Sequence, residues 1–290
     1  MLNISPFCDL VDPVGVFDAG IGSYAMVDLI RRRQPERDIL YFADRASFPY
    51  GAKSREELLA ITRRSVDYLA GLGAGSVVLA SNAPSIMVLD ALKSGFALPV
   101  HGVAPPVRAA CSASRSGKVA IMGVRSMIDS AELPRFVRTQ TDNPENVALI
   151  NASAMVELVE NGAFLREPEL TTLKVTAFCD EIAACHPEVD ALTLSSTHLP
   201  WLRPFFENAR PGWQFFDPAD DVVAALPHLH SNKSHSGKPH SAKPQGATGR
   251  TVALVTESAA YPVDEFRRML ALLGVDLPLT VVSPLSDMHV

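Results

Sequence analysis

Two apolar runs of strand length end in side chains able to do chemistry. Ser76-Val77-Val78-Leu79-Ala80 runs into Ser81, Asn82, Ala83 and Pro84, and Ala191-Leu192-Thr193-Leu194 runs into Ser195, Ser196, Thr197 and His198. Each tip offers hydroxyls, and between them they add an amide and an imidazole, groups that bind small polar ligands and move protons. A buried strand that opens abruptly into small polar residues is the pattern of a parallel sheet with its site loops at the carboxyl ends of the strands. Two such ends facing each other would share one cleft.

The elements that must position these tips alternate along the chain. Val14-Gly15-Val16-Phe17 is read as a first buried strand closing on Asp18, Ala19, Gly20, Ile21 and Gly22, where glycine permits a tight turn and close backbone approach. The Gly-x-Gly here is a weak dinucleotide signal, because no third glycine follows at the required spacing. A helix through Leu29 and Ile30 ends on the basic run Arg31-Arg32-Arg33. Asp38 to Asp44 is a second strand, followed by a turn at Phe48-Pro49-Tyr50-Gly51. Ser54 with Glu57 three residues on is a capping box that starts a helix running to the glycines between Gly71 and Gly75. Strands are expected at 99–103, 118–123, 147–150, 191–194 and 251–255, and helices around 155–159, 169–184 and 263–273. This alternation predicts α/β architecture with parallel sheets. Domains are expected at 1–102 plus 218–290 and at 103–217.

Composition narrows the function classes. With 290 residues, 47% hydrophobic and 20% charged, the chain is long enough for two packed α/β units. A net charge of −6 disfavours nucleic acid as the main ligand, leaving small molecules and local binding groups. Cys8, Cys111, Cys179 and Cys185 are scattered without metal or disulfide spacing and are expected to be buried structural thiols, so neither a metal site nor a disulfide framework is expected. No apolar run is long enough to cross a membrane and no signal-peptide pattern opens the chain, so a cytoplasmic location is expected. Residues 227–249 are rich in Pro, His, Ser, Lys and Gly, include His228, His230, His235 and His240, and read as a solvated loop.

Taken in order, these segments resemble glutamate racemase, of the aspartate/glutamate racemase superfamily. Val14 to Gly22 resembles the family's opening Gly-Val-Phe-Asp-Ser-Gly-x-Gly, and Tyr41-Phe42-Ala43-Asp44 with Pro49-Tyr50-Gly51 resembles its Tyr-Phe-Gly-Asp and Pro-Tyr-Gly turn. Leu79-Ala80-Ser81-Asn82-Ala83 lies on Ala-Cys-Asn-Thr, and Ser195-Ser196-Thr197-His198-Leu199-Pro200 on Gly-Cys-Thr-His-Phe-Pro. The resemblance implies two similar parallel-sheet domains with the active-site cleft between them. It also implies cofactor-independent interconversion of L- and D-glutamate for cell-wall precursors, with a homodimer or a further protein partner left open.

By the resemblance, Ser81, Ser196, Asp18 and His198 occupy catalytic positions, and Ala19, Pro49, Tyr50, Gly51, Asn82, Ala83 and Thr197 substrate-binding ones. The family moves the α-proton between two cysteines, whose thiols have a pKa of about 8.5 that surroundings can lower. Here both positions are serine, and an alcohol is a far weaker acid, so racemisation is expected to be lost or severely impaired. Family hydroxyls are also absent at Ala19, Ala83, Val124 and Met127, which predicts weak glutamate binding and reads as divergence. Each retained residue has a structural reading too: Asn82 and Thr197 as helix caps, Pro49 and Gly51 as a turn, His198 as a satisfied core histidine. The alternative function is a non-catalytic ligand- or protein-binding regulatory module built on the same fold.

Overall fold

The structure, a computed structural model, describes residues 10–226 and 247–286. Ten strands carry it: β1 (Val14–Asp18), β2 (Ile39–Asp44), β3 (Ser76–Leu79), β4 (Val100–Gly102), β5 (Val119–Gly123), β6 (Val147–Asn151), β7 (Ala191–Ser195), β8 (Gln214–Phe216), β9 (Thr251–Thr256) and β10 (Leu279–Val281). Every residue of β1, β2, β3, β5 and β7 is buried, which is why these segments read as continuous apolar runs without alternation.

The strands form two all-parallel sheets among the described residues: one in the order β10-β9-β2-β1-β3-β4, the other β6-β5-β7-β8. The β2-β1-β3-β4 portion of the first has the same connectivity as the whole second sheet, so the chain carries one topology twice, extended by β9 and β10 on the β2 side. In each sheet the strand order reverses at one place, between β1 and β3 and between β5 and β7. Such switch points leave a crevice at the strands' carboxyl ends, because the following segments leave in opposite directions. One apolar cluster joins the sheets, running from Val16 and Val78 through Val159 and Leu199 to Leu192 and Phe206.

Local chemistry sets several boundaries as expected. Ser54 accepts the Glu57 backbone N–H at 3.2 Å while Glu57 accepts the Ser54 N–H at 2.8 Å, starting the helix Arg55–Gly71. Gly73, at φ +97°, ends it in a conformation that favours glycine. The long helix spans Pro168–Cys185 and the last one Val263–Leu272.

Two points differ from the sequence reading. The short strands β8 and β10, three residues each, were not read from the sequence. Buried thiols hold for Cys179 alone among the described cysteines, since Cys111 is half-buried and Cys185 exposed on the last turn of its helix; Cys8 lies outside the described residues. Most of the 227–249 segment, with its four histidines, also lies outside them. No described helix is long and apolar enough to cross a membrane.

Candidate active site

A cavity of about 430 Å³ opens where the two switch points face each other. All of the residues singled out from the sequence as site positions line it: Asp18 and Ala19 after β1, Pro49, Tyr50 and Gly51 from the turn after β2, Ser81, Asn82 and Ala83 after β3, and Ser196, Thr197 and His198 after β7. Val124, after β5, lines it as well. Met127 does not; it is fully buried in the core, where its Cε would lie 2.2 Å from a Cβ placed on Gly123.

On the first wall, parallel pairing aligns Phe17 of β1 with Leu79 of β3, so Asp18 and Ser81 leave the sheet side by side. The Ala80 N–H donates to the Phe17 carbonyl at 2.9 Å and keeps the two strands together to that point. Ser85 Oγ donates to the Ser81 carbonyl at 2.6 Å and accepts the Val103 N–H at 2.9 Å, which pins the Ser81 backbone. Burial pushes the Asp18 carboxyl up to about 6, against the opposing pull of the His198 charge, the Ala19 N–H and a hydrogen bond from Ser81. Asp18 therefore sits near neutrality with the Ser81 hydroxyl on it, suited to taking or giving a proton. Tyr50 is committed elsewhere: its hydroxyl donates to Asp44 at 3.4 Å, and burial holds it well above the ordinary tyrosine range. Asn82 donates its Nδ2 to the Val103 carbonyl at 2.9 Å, and its Oδ1 is buried with no hydrogen-bond partner among the described residues.

The second wall is a relay. Ser195 is turned inward, its hydroxyl 2.7 Å from Thr193 Oγ1, and Ser196 is left beside the imidazole. Ser196 Oγ lies 3.4 Å from His198 Nδ1 and accepts the His198 backbone N–H at the same distance. His198 Nε2 lies 2.8 Å from Glu160 Oε2. Accepting the backbone N–H leaves the serine proton free for Nδ1, and the carboxylate on Nε2 orients the ring by taking that nitrogen's N–H. Hydroxyl, imidazole and carboxylate thus stand in the order in which a proton is drawn off an alcohol.

Glu160 and Arg45 are the functional residues that sequence reading missed. Arg45 is buried, donates to Glu160 and, at 3.0 Å, to the Ala19 carbonyl, and its guanidinium lies over the rings of Phe48, Tyr261 and Phe266 at 4.8, 5.4 and 5.3 Å. Burial alone would raise the Glu160 carboxyl, but His198, Arg45 and the Ile21 N–H at 3.0 Å outweigh it and hold it below the usual range. The signal for Glu160 is helical spacing: Ser153, Val156, Glu157 and Glu160, at i, i+3, i+4 and i+7 of the helix Ser153–Glu160, all face the cavity. The turn after β1 must pass close over His198. A Cβ on Gly22 would lie 2.5 Å from Nδ1 and one on Gly20 2.7 Å from Cε1, so neither position has room for a side chain.

The chain is similar to curated glutamate racemases. It is 35% identical over 193 residues to that of Deinococcus radiodurans, a match covering 66% of this chain and 64% of the relative. It is 30% identical over 207 residues to that of Persephonella marina, covering 70% and 77%. The chain belongs to the glutamate racemase family. No general family model matches it. Among solved structures, the glutamate racemase from Thermus thermophilus in complex with β-chloro-D-alanine superposes with a TM-score of 0.72 at 26% identity, covering 93% of this chain and 96% of that one. The Escherichia coli glutamate racemase, in complex with L-glutamate and an activator, shares the fold at a TM-score of 0.75 and 21% identity. Within the family, the matched stretch of the Deinococcus relative is a little under two thirds of its length.

Proposed function

We propose that this family member uses the cleft to bind a small α-amino acid, and that Ser81 and Ser196, standing where the family has its two thiols, leave glutamate racemisation severely impaired. The observation that carries the reading is the pair of hydroxyls on walls contributed by different sheets, Ser81 held by Asp18 and Ser196 facing His198 and, through it, Glu160. Two opposed proton carriers are what inversion at one carbon needs, one to remove the α-proton and one to return a proton from the other face.

The substitution weakens the chemistry and leaves the layout. Taking the alcohol near the roughly 15.7 of water and the thiol near 8.5, each serine starts about seven pH units less acidic, at about 1.36 kcal/mol per unit. Asp18 and the His198–Glu160 pair offset part of that by accepting the proton as it leaves. They do not remove it.

The test is α-proton exchange. Pure protein with L-glutamate or L-aspartate in deuterated water is expected to exchange more slowly than about 10⁻³ s⁻¹, whereas turnover on the order of 1 s⁻¹ or faster, within the ordinary enzyme range, would overturn the reading.

A further inference from the structure

We infer that Ser196 is an activated nucleophile and that the cleft hydrolyses small carboxylic esters through an acyl-serine, an activity distinct from racemisation. The geometry carries it: Ser196, His198 and Glu160 form a hydroxyl–imidazole–carboxylate chain on the wall of a cavity of about 430 Å³. Such a chain is defined by the positions and roles of its members, whatever their order in the sequence.

Each link has its own support. Glu160 accepts from His198 Nε2 at 2.8 Å, so Nδ1 is the nitrogen that presents a lone pair to Ser196 Oγ, 3.4 Å away. A nucleophile and its base are often this loosely paired before a substrate closes on them. Glu160 is itself fixed by buried Arg45 and by the Ile21 N–H at 3.0 Å, so a carboxylate stands ready behind the imidazolium that forms. Ser196 is the one hydroxyl lining the cavity that meets an imidazole among the described residues, since Ser195 is turned onto Thr193 and Ser81 sits on Asp18. The charge that develops on the carbonyl oxygen needs a donor. The Thr197 backbone N–H has no hydrogen-bond partner among the described residues, and Thr197 lines the cavity directly after the nucleophile. That is the position from which hydrolases of another fold supply one oxyanion donor.

In the first step Ser196 Oγ bonds to the ester carbonyl carbon as its proton passes to His198 Nδ1. The bond from that carbon to the alcohol oxygen then breaks, and the alcohol leaves with the proton from Nδ1. Water repeats the sequence on the acyl-serine: its oxygen bonds to the carbonyl carbon, its proton goes to Nδ1 and then to Ser196 Oγ, and the carboxylic acid departs. The substrate class follows from the wall. Phe48, Ala83, Val124 and Val156 give the cavity alkyl and aromatic surface, and its volume falls within the usual range of small-molecule sites, about 300–1,000 Å³. Short alkyl acyl groups suit that surface, and an alkoxide or phenoxide leaves more readily than an amide nitrogen.

The experiment treats the full chain at pH 7.5 with diisopropyl fluorophosphate and locates the modified residue by peptide mass spectrometry. In parallel, p-nitrophenoxide release from p-nitrophenyl acetate and butyrate is followed by absorbance, with the spontaneous rate subtracted. Attack of Ser196 Oγ on phosphorus expels fluoride and leaves a stable phosphoryl-serine. The expected result is one phosphoryl group per chain, on Ser196, and nitrophenoxide release that continues well past one equivalent. Ser196→Ala is expected to abolish labelling and slow release about 10²-fold or more with an unchanged urea midpoint, and His198→Gln to slow both with the serine still in place. Label on Ser81 or any other residue, no label, or release indifferent to Ser196→Ala would overturn the inference. Release that stops after one equivalent would overturn the hydrolytic turnover. The α-proton exchange assay tests the amino-acid reading separately, so either can fail alone.

Discussion

Replacing Asp18 by asparagine should stabilise the protein at neutral pH, and the gain should shrink as the pH falls. In the folded chain the carboxyl is pushed up to about 6 by burial, from an ordinary 3.8. A group with a raised folded pKa binds its proton more tightly in the folded than in the unfolded state. Its contribution to stability is therefore full below the unfolded value and is lost as the pH rises through the folded one. The difference of about 2.2 pH units, at about 1.36 kcal/mol each, makes ionised Asp18 cost the fold about 3 kcal/mol well above pH 6. Linkage spreads that cost over the titration range: it is slight at pH 4, grows through pH 5 and is nearly complete above pH 6. Asparagine keeps the size and can still accept from Ser81, and it never ionises. Paired urea unfolding of both proteins at pH 5 and pH 7.5 should show the stability difference widening by on the order of 1 kcal/mol in favour of Asp18→Asn. Using the difference between the two proteins removes the background from Asp44 and Asp217, whose carboxyls burial also raises. A difference that stays constant within about 0.5 kcal/mol, or that narrows with rising pH, would refute the assignment of Asp18 as a buried carboxyl held at the cost of stability for proton transfer.

Three further outcomes follow from the same geometry. Gly22→Ala should destabilise by about 1–3 kcal/mol and displace His198, because the new Cβ would fall 2.5 Å from Nδ1 and 2.7 Å from the His198 backbone nitrogen; unchanged urea unfolding would contradict the close packing. Glu160→Gln removes the charge that pairs buried Arg45 and should cost about 3 kcal/mol, while Glu157→Gln, on the exposed part of the same helix face, should cost under about 0.5 kcal/mol, both read by urea unfolding. Ser81→Cys combined with Ser196→Cys should leave glutamate exchange at least about 10²-fold below a competent enzyme, because Ala19, Ala83 and Val124 on the cavity wall offer no hydroxyl to hold the substrate in reacting position; brisk exchange by this double variant would sink that view. Ala19→Ser, Ala83→Thr and Val124→Thr added to it should raise exchange, whereas Met127→Thr should only cost stability, since Met127 lies in the core.

Much of this protein was legible in the amino-acid sequence because the information is local. A strand buried on both faces must be a short apolar run, and a ligand loop must break that run with polar side chains, so β1, β3 and β7 announce both themselves and Asp18, Ser81 and Ser196 at their ends. The Ser54–Glu57 capping box is likewise a matter of four consecutive residues. Strands β8 and β10 were missed for the opposite reason. Three residues carry too little pattern, and they are strands because β7 and β9 offer them edges to pair with.

What only the tertiary structure decided is which groups meet and in what state. Arg45 and Glu160 lie far apart in the chain, and nothing in either neighbourhood says that one will neutralise the other and fix His198. The neighbouring hydroxyls of Ser195 and Ser196 are equivalent on paper; folding turns the first onto Thr193 and leaves the second to the imidazole. The near-neutral Asp18 and the unpartnered Asn82 Oδ1 are likewise consequences of burial. Side-chain type and strand pattern are written residue by residue, but protonation, hydrogen-bond partnership and cavity polarity are set by what surrounds an atom in space, and those surroundings exist only once both sheets have packed together.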